Sequence, residues 1–226
     1  MSDAASEIKK TWHIIPVGDD SVLELRALWP KGVQGIRPPQ TKHFRRADYP
    51  NVDVLRSAFE DTALTLNQQG YNIYTVMNPI KPDFSGPGSA KDRDIRYRDL
   101  LLVDIDRVGD TSCPASHAEL DAARVLAGEL QAHMSSRGWP APIVVMSGNG
   151  YHLYYCLSDL SNDDQAAALV KITLNNLATV FTSDIVGVDT TVYNASRITK
   201  VPGTIMRKGV ETEDRPYRMA VVCDEE

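Results

Sequence analysis

The stretch 100–106, which reads Leu-Leu-Leu-Val-Asp-Ile-Asp, constrains the fold of this chain more than any other. It is an apolar run of the length of a strand, and it ends in two acids that are two positions apart. Residues two apart in a strand share a face, so Asp104 and Asp106 point one way while Val103 and Ile105 point the other way. We therefore expect a strand with one face packed on helices and the other face charged.

These two carboxylates predict a metal site. At about 6 Å apart in a half-buried site they repel each other by roughly 3 kcal/mol, which is a large fraction of the stability of a domain. A divalent cation removes that repulsion. An isolated Asp-x-Asp often only forms a turn, but this pair ends a very apolar strand, and Val188-Asp189 repeats the hydrophobic-acid pattern. Asp189 completes a set of hard oxygen ligands suited to Mg²⁺ or Mn²⁺.

The pattern from residue 100 onward predicts the order β-α-β-β-α-β. A capping box of Ser116 and Glu119 begins a helix that runs to about residue 137, and Ser147-Gly-Asn-Gly is a strong hairpin signal. This order is that of the split βαβ arrangement of ferredoxin-like and RNA-recognition-type folds. The other predicted elements are strands at 100–106, 143–146 and 151–157, a second helix from 161–164 to about 180, and a last strand at 197–201, at 217–222, or at both.

The sequence upstream of this pattern predicts a smaller unit. Residues 52–69 predict an amphipathic helix and residues 71–77 a strand, preceded by irregular, proline-bearing sequence. Residues 78–96 are rich in proline, glycine and charge, which marks a break. We therefore predict an α/β (α+β) fold with a single domain over 1–226, made of a small N-terminal α/β module, 1–90, and a C-terminal module, 91–226, that carries the motifs.

Charge and composition exclude several classes of protein. The net charge of -6 argues against a protein that grips duplex DNA over a wide basic surface. No apolar run approaches the roughly 20 residues that span a bilayer, and the start lacks a secretory signal, so we expect a cytoplasmic protein without a membrane partner. Cys113 and His117 resemble half of a zinc site, but the other half is missing and we expect no structural zinc.

Several residues suit the binding of phosphate. The two glycines of the hairpin allow a ligand to approach the backbone closely, and the imidazole of His152 is able to hydrogen-bond a phosphate oxygen. A lone histidine on a strand is more often a satisfied core residue, and Ser147 with its glycines is also explained by the turn alone. Arg197 and Lys200 suit a triphosphate if they face the carboxylates, and are ordinary surface charges if they face away.

Taken in order, these motifs resemble those of the archaeo-eukaryotic primase (AEP) superfamily, and most closely its primase-polymerase (prim-pol) branch from phages, plasmids and mobile elements. The resemblance covers about residues 70–208 and includes the phrases Tyr-Thr-Val-Met-Asn78-Pro79 and Arg197…Lys200-Val-Pro-Gly-Thr. Its three motifs are acid-hydrophobic-acid, matched by Asp104 and Asp106, small-x-His, matched by Gly150 and His152, and hydrophobic-acid, matched by Val188 and Asp189.

The resemblance implies an AEP-type catalytic core, in which the N-terminal module packs on an RRM-like C-terminal module and the active site lies in the cleft between them. It implies that Asp104, Asp106 and Asp189 are catalytic and hold two ions of Mg²⁺ or Mn²⁺. The implied nucleotide-binding residues are His152, Arg197, Lys200, Ser147, Gly150 and Asn78. Residues that contact a single-stranded template are then expected in the basic stretches, at Lys42, Arg45, Arg46, Arg93 and Arg96.

The implied activity is that of a DNA-dependent primase-polymerase, a nucleotidyltransferase that makes or extends primers on single-stranded DNA from NTPs or dNTPs. A prokaryotic, phage-encoded or plasmid-encoded protein is implied, with a helicase or accessory domain in the same or a neighbouring chain. Members of this family use their acids for metal, so the intact acids favour an enzyme.

Three other functions fit part of the pattern. A non-catalytic replication initiator or single-strand-binding module on the same fold leaves the acids without a role. A rolling-circle nuclease or relaxase uses a His-hydrophobic-His motif and a tyrosine nucleophile, whereas the segment around His152 supplies one histidine. A metal-dependent cyclase on a ferredoxin-like fold needs two carboxylates but leaves the template-side features unexplained.

Overall fold

The computed structural model describes residues 3–223 and contains two main antiparallel sheets with helices packed on them. The helices are α1 (Ala4–Glu7), α2 (Thr11–Ile14), α3 (Val52–Gln68), α4 (His117–Ser135) and α5 (Asp164–Phe181). The strands are β1 (Val22–Leu28), β2 (Gln40–Arg45), β3 (Asn72–Val76), β4 (Tyr97–Arg107), β5 (Ile143–Met146), β6 (Tyr151–Ser161), β7 (Val186–Val188), β8 (Ile198–Lys200), β9 (Ile205–Met206), β10 (Arg218–Met219) and β11 (Val221–Cys223).

The first sheet has the strand order β2-β1-β3-β8 and is covered on one face by α3. This helix begins where the side chain of Asn51 accepts a hydrogen bond from the Val54 amide, 3.0 Å away, which satisfies one of the free N–H groups of its first turn. Its buried side chains recur at helical spacing, as Leu55, Phe59 and Ala63. The predicted helix at 52–69 and strand at 71–77 are confirmed within two residues.

The second sheet has the strand order β11-β5-β6-β4-β7. Its elements β4, α4, β5, β6, α5 and β7 follow the predicted order β-α-β-β-α-β. The capping box is present, because the Ser116 side chain accepts from the Glu119 amide at 3.1 Å and the Glu119 side chain accepts from the Ser116 amide at 2.7 Å. The mixed α/β composition that the sequence predicts is therefore what the chain adopts.

Strands form at both positions predicted for the last strand, as β8 and as β10 with β11, but neither completes this pattern. The strand that completes it is β7, which pairs with β4, whereas β8 pairs with β3 in the first sheet. The strand β11 lies at the edge beside β5. The strands β7, β8 and β11 have three residues each, which is too short for a pattern of alternation to show in the sequence.

The expectation of irregular sequence before residue 52 was wrong, because β1 and β2 lie there. In β1, Glu24 is fully buried between Arg26 and His43, so a charge occupies a position that reads as exposed in the sequence. The strand β2 is an edge strand and is mostly polar. The strand β2 therefore does not show the alternation of apolar and polar residues that identifies a half-buried strand. In β1 that alternation is present, in Leu23-Glu24-Leu25-Arg26-Ala27, and the prediction missed it.

A single hydrophobic core joins the two sheets. It contains Leu25 and Phe59 from the first sheet and its helix, and Val103 and Leu153 from the second sheet. Because β8 follows the second sheet in the chain but pairs into the first, the two predicted modules share a strand connection as well as a core. Their boundary at residue 90 stays a prediction. Within residues 3–223, no helix is both long and apolar enough to cross a membrane.

Candidate active site

The predicted acids meet near the β7 edge of the second sheet. Asp104 and Asp106 lie on β4 and line one cavity of about 310 Å³. Asp189 directly follows β7, which pairs with β4, and its amide donates to the Asp104 carbonyl at 2.8 Å. Sheet pairing thus brings residues more than 80 positions apart to one place. A carboxylate oxygen of Asp189 accepts from the Thr191 amide at 2.7 Å, which holds its side chain within its own turn.

Burial makes these acids hard to ionise. Desolvation raises the pKa of Asp104 to about 7, and the negative charges of Asp106 and Asp189 add to this effect. Burial also raises the pKa of Asp106, and the negative charge of Asp189 adds to this rise. A hydrogen bond from the Arg107 amide and the positive charge of Lys208 lower the pKa and so oppose the rise. The cavity therefore holds carboxylates whose negative charge is not balanced by the protein alone. A bound cation would supply that balance.

His152 lies directly across from Asp104 on the neighbouring strand β6. Its Nε2 is 3.4 Å from a carboxylate oxygen of Asp104, and its Nδ1 is 2.9 Å from the hydroxyl of Tyr154. Burial, together with the charges of Lys200 and Arg197, lowers the pKa of His152 to about 4. Because this value lies below the pKa of Asp104, the two groups are not both charged at any pH. The contact is a dipolar one and leaves the imidazole neutral.

The hydroxyl groups behind His152 fix the orientation of its ring. Tyr154 and Thr199 hydrogen-bond to each other, and the Thr199 hydroxyl is also 3.2 Å from Nδ1 of His152. Tyr154 belongs to β6 and Thr199 to β8, so this contact also joins the two sheets. These hydroxyls hold the ring at Nδ1, on its side away from the cavity, so that Nε2 faces Asp104 and the cavity. Neither hydroxyl was singled out in the sequence.

Three cations line the same cavity: Arg197, Lys200 and Lys208. Lys200 is 2% exposed, its ammonium donates to the Ile205 carbonyl at 3.3 Å, and it forms no ion pair with any residue of 3–223. Burial lowers the pKa of Lys200 well below its usual value. Arg197 donates to the Thr191 carbonyl at 2.7 Å. These cations face the carboxylates without forming ion pairs with them, so the cavity has separated charges of both signs.

The sequence analysis did not assign Lys208, Tyr74 or Asn149 to the site, although all three line the cavity. Lys208 belongs to a basic segment, but its place beside the acids depends on a strand pairing that the sequence does not reveal. The sequence contained one signal for Asn149, because this residue lies within the predicted hairpin turn next to the motif that contains His152. Its carboxamide oxygen accepts from the Ala115 amide at 2.9 Å, and its nitrogen has no partner within residues 3–223.

The hairpin between β5 and β6 rests directly on β4. A Cβ at Gly150 would lie 2.0 Å from the Ile105 carbonyl oxygen, so only glycine fits there. Ser147 lines the cavity, and its amide and hydroxyl both donate to the Gly150 carbonyl, at 2.9 and 3.2 Å. The glycine thus allows the turn to pack against β4 between the two acids.

Comparison with known proteins gives the fold its name. No family model and no curated protein sequence matches the chain. Three solved structures are similar to it: the AEP domain of the primase-polymerase of cyanophage S-2L (15% identity, TM-score 0.56, covering 96% of this chain and 88% of that one), the primase RepB' (14%, 0.53, 98% and 56%), and the polymerase domain of Ligase D from Mycobacterium tuberculosis in complex with DNA (14%, 0.51, 95% and 80%). This chain has the AEP fold.

The chain spans little more than half of the RepB' chain, at 56%. At 14% and 15% identity these likenesses confirm the AEP-type fold alone, and the division into modules and the roles of individual residues remain predictions.

The AEP fold places one predicted nucleotide-binding residue outside the cavity. Asn78 is 3% exposed, and its carboxamide oxygen accepts from the amides of Asp99 and Leu100, at 2.9 and 3.1 Å. Its nitrogen donates to the Ala195 carbonyl at 2.8 Å. Asn78 therefore ties β3 to β4 and to the segment that precedes Arg197, and both polar atoms of its side chain are engaged by the backbone.

None of the five predicted template-binding residues lines the acid cavity. Arg46 donates to the Tyr49 carbonyl at 2.8 Å, Arg45 donates to the Phe84 carbonyl, and Arg96 forms an ion pair with Asp20 at 2.8 Å. The side chain of Arg93 is 87% exposed, and Lys42 is exposed on β2. Arg93 also forms an ion pair with Asp94, at 3.9 Å. Four of these cations therefore already have partners, and Lys42 extends into solvent.

The donor set of this AEP cavity fits a hard divalent cation. Within residues 3–223 no three His, Cys, Asp or Glu side chains lie close enough together to hold a metal ion. Magnesium, however, is usually held by one or two carboxylates together with water and substrate phosphates, so a complete protein cage is not needed. Asp104 and Asp106 supply two carboxylates on one face, and Asp189 adjoins them.

Proposed function

We propose that the chain is a DNA-dependent primase-polymerase that transfers nucleotides from nucleoside triphosphates to a strand on single-stranded DNA. The observation that carries this proposal is the single cavity in which unneutralised carboxylates and unpaired cations face each other. The carboxylates suit metal, and the cations suit a triphosphate. An arrangement of this kind, in a chain with the AEP fold, favours phosphoryl chemistry over a purely structural role.

The reaction needs no oxidant or reductant. The 3′-oxygen of the growing strand forms a bond to the α-phosphorus of the nucleoside triphosphate, the bond from that phosphorus to pyrophosphate breaks, and the hydroxyl proton passes to water. Asp104, Asp106 and Asp189 would hold Mg²⁺ or Mn²⁺, which when bound lowers the pKa of the attacking hydroxyl and neutralises charge on the phosphates.

The remaining side chains bind and orient the triphosphate. Arg197 offers forked donors to phosphate oxygens, and the buried ammonium of Lys200 interacts strongly with a phosphate because little water screens it. The neutral imidazole of His152 can donate from Nε2 to a phosphate oxygen when its Nδ1 accepts from Tyr154 or Thr199. The template would be a single strand held through its backbone by the basic residues outside the cavity, of which Lys42 and Arg93 have exposed side chains.

The test is synthesis on single-stranded DNA with labelled NTPs or dNTPs and Mg²⁺ or Mn²⁺, with and without a primer. Product without a primer identifies a primase, and product only with a primer identifies a polymerase. Asp104→Asn should abolish either product, whereas Asp121→Asn, an acid whose side chain is 74% exposed on α4, should leave it unchanged. A wild-type chain that binds the template and makes no product would overturn the proposal.

A non-catalytic single-strand-binding module is the second candidate, and one observation favours it: no preformed three-ligand metal group exists within residues 3–223. A measurement of Mn²⁺ affinity separates the two candidates. In a binding module, Mn²⁺ would not bind at the acids, and Asp104→Asn would leave the affinity for Mn²⁺ unchanged. In the proposed enzyme, the same substitution lowers that affinity.

A further inference from the structure

A second cavity, of about 540 Å³, opens beside the acid cavity. The two cavities share four lining residues, Leu28, Tyr74, Met206 and Lys208. Since the ammonium of Lys208 is part of both, it stands at the boundary between them. The two cavities are therefore adjacent, and these four residues lie between the second cavity and the acids.

The lining of this second cavity favours an anion with an apolar part. Three cations, Lys31, Arg207 and Lys208, line it with a single carboxylate, Asp110. That carboxylate accepts hydrogen bonds from the amide and hydroxyl of Ser112, at 2.8 and 3.0 Å. The cations thus outnumber the acid, and the acid is already engaged. The apolar part of the lining consists of Leu28, Trp29, Tyr74 and Met206.

Two hydrogen-bond donors in the lining residues have no partner. Nη1 of Arg207 and Nε1 of Trp29 are buried and bond to nothing within residues 3–223. Unsatisfied buried donors are rare in folded proteins because each loses its bonds to water without gaining another bond. A ligand with several acceptor oxygens would supply what these groups lack. A phosphate group has such oxygens.

The walls of the second cavity are held firmly. The Gly209 amide donates to the Lys31 carbonyl at 2.8 Å, and a Cβ on Gly209 would lie 2.3 Å from the Ser112 carbonyl oxygen. Asn72 forms two hydrogen bonds to the backbone of Arg207, both 2.8 Å long. Three segments that are distant in the sequence are thus packed backbone against backbone. The positions of the cations are set before any ligand arrives.

We propose that this second cavity binds the 3′-terminal nucleotide of the growing strand, with its phosphate at Lys31, Arg207 and Lys208. The inference rests on the proposed function, because that reaction joins two phosphate-bearing substrates and must hold one on each side of the acids. Arg197 and Lys200 serve the incoming triphosphate in the first cavity. Lys31 and Arg207, together with Lys208 at the boundary, then bind the strand that supplies the attacking hydroxyl.

The experiment compares the double variant Lys31→Gln/Arg207→Gln with the wild type in primer extension. We expect the KM for the primed template to rise about tenfold or more, since two charge-assisted contacts are lost, and the KM for the incoming nucleotide to change by less than about twofold. Arg124→Gln removes an equally cationic side chain, 63% exposed on α4, and should change neither constant. Lys31→Gln alone should give part of the effect, and because Lys31 is exposed this variant keeps the fold.

An unchanged KM for the primed template overturns the inference, and so does an equal rise in the KM for the incoming nucleotide. A binding measurement separates this failure from failure of the proposed function. Fluorescence anisotropy without nucleotide compares the affinity for a primed template with that for the same strand unprimed. We expect the wild type to prefer the primed form and the double variant to lose that preference. A wild type without the preference overturns the inference whether or not it makes product.

Discussion

Asp106 and Arg107 are neighbours at the end of β4, but they belong to charged clusters that are balanced in opposite ways. Arg107 faces away from the acid cavity, is almost fully buried, and donates to Glu119 at 3.0 Å and to the Pro114 carbonyl at 2.7 Å. Arg215 adds two bonds to Glu119, at 2.7 and 3.0 Å. Every carboxylate oxygen of this arginine–glutamate cluster has a cationic partner.

The pKa values of the two clusters record this difference. The hydrogen bonds from Arg215, with those of Ser116 and Arg107, hold the pKa of Glu119 at about 2, whereas burial raises the pKa of Asp104 to about 7. One strand end thus carries a cluster whose carboxylate is paired within the protein and a cluster whose carboxylates are not. The first stabilises the loop between β4 and α4. The second is costly to the fold and is explained by a ligand.

The largest expected effect separates the two clusters by activity. Asp106→Asn should lower the rate of nucleotide incorporation by roughly a thousandfold or more, because it removes a proposed metal ligand. Glu119→Gln is the matched change across the strand and should leave the rate within about twofold. Steady-state extension assays measure both. Equal losses in the two variants would show that the clusters do not differ in function.

The next effect concerns stability and pH. The folded-state pKa of Asp104 is raised above its usual 3.8, so ionising it opposes folding, and this cost grows from about pH 4 to pH 7 and is constant above. Asp104→Asn should therefore raise the free energy of unfolding by about 1–3 kcal/mol at pH 8 with EDTA present, and by less at pH 5. Urea unfolding at the two pH values measures this. A variant that is less stable than the wild type at pH 8 would contradict the burial argument.

A smaller effect is expected at the buried ammonium. Lys200→Met keeps the length of the side chain and removes a charge that has no ion-pair partner within the described residues. It should raise the melting temperature while increasing the KM for the nucleoside triphosphate by about tenfold. Thermal unfolding and nucleotide titration report the two changes. A fall in melting temperature together with an unchanged KM would mark Lys200 as structural.

The smallest expected effect is on the arginine–glutamate cluster. Glu119→Gln should lower the free energy of unfolding by about 1 kcal/mol at pH 7. Because the folded-state pKa of Glu119 is depressed below its usual 4.5, its contribution is complete above that pH and is lost as the pH falls towards 2. The difference between variant and wild type should therefore shrink in unfolding measurements at pH 3. A difference that grew on acidification would contradict the sign of this pKa shift.

The sequence predicted those parts of the fold that depend on local pattern. The capping box of Ser116, the hairpin at Ser147 and the shared face of Asp104 and Asp106 all follow from spacing along one element. The parts that depend on pairing between distant segments were missed or misplaced. Those are the position of β8 in the first sheet and the approach of Lys208 to the acids.

Asn78 shows why a motif residue can be misassigned. A buried carboxamide and a ligand-binding carboxamide look the same in a sequence, and only the three backbone partners of Asn78 show which it is. Conversely, Glu24 occupies a polar position that the sequence presents as exposed, yet it is buried with Arg26 and His43 as partners. Polar residues that find their partners far along the chain are therefore the main source of error in both directions.

The pairing of β8 with β3 has a consequence for a chain that has been cut. The loop between β3 and β4 is the only covalent link between the first three strands and the rest of the described chain, yet β8 is hydrogen-bonded into their sheet and Thr199 contacts Tyr154 in the other. A protease that nicks the loop at residues 85–88 would therefore release no fragment. The two pieces would migrate together in gel filtration, and Lys200 would remain beside the acids.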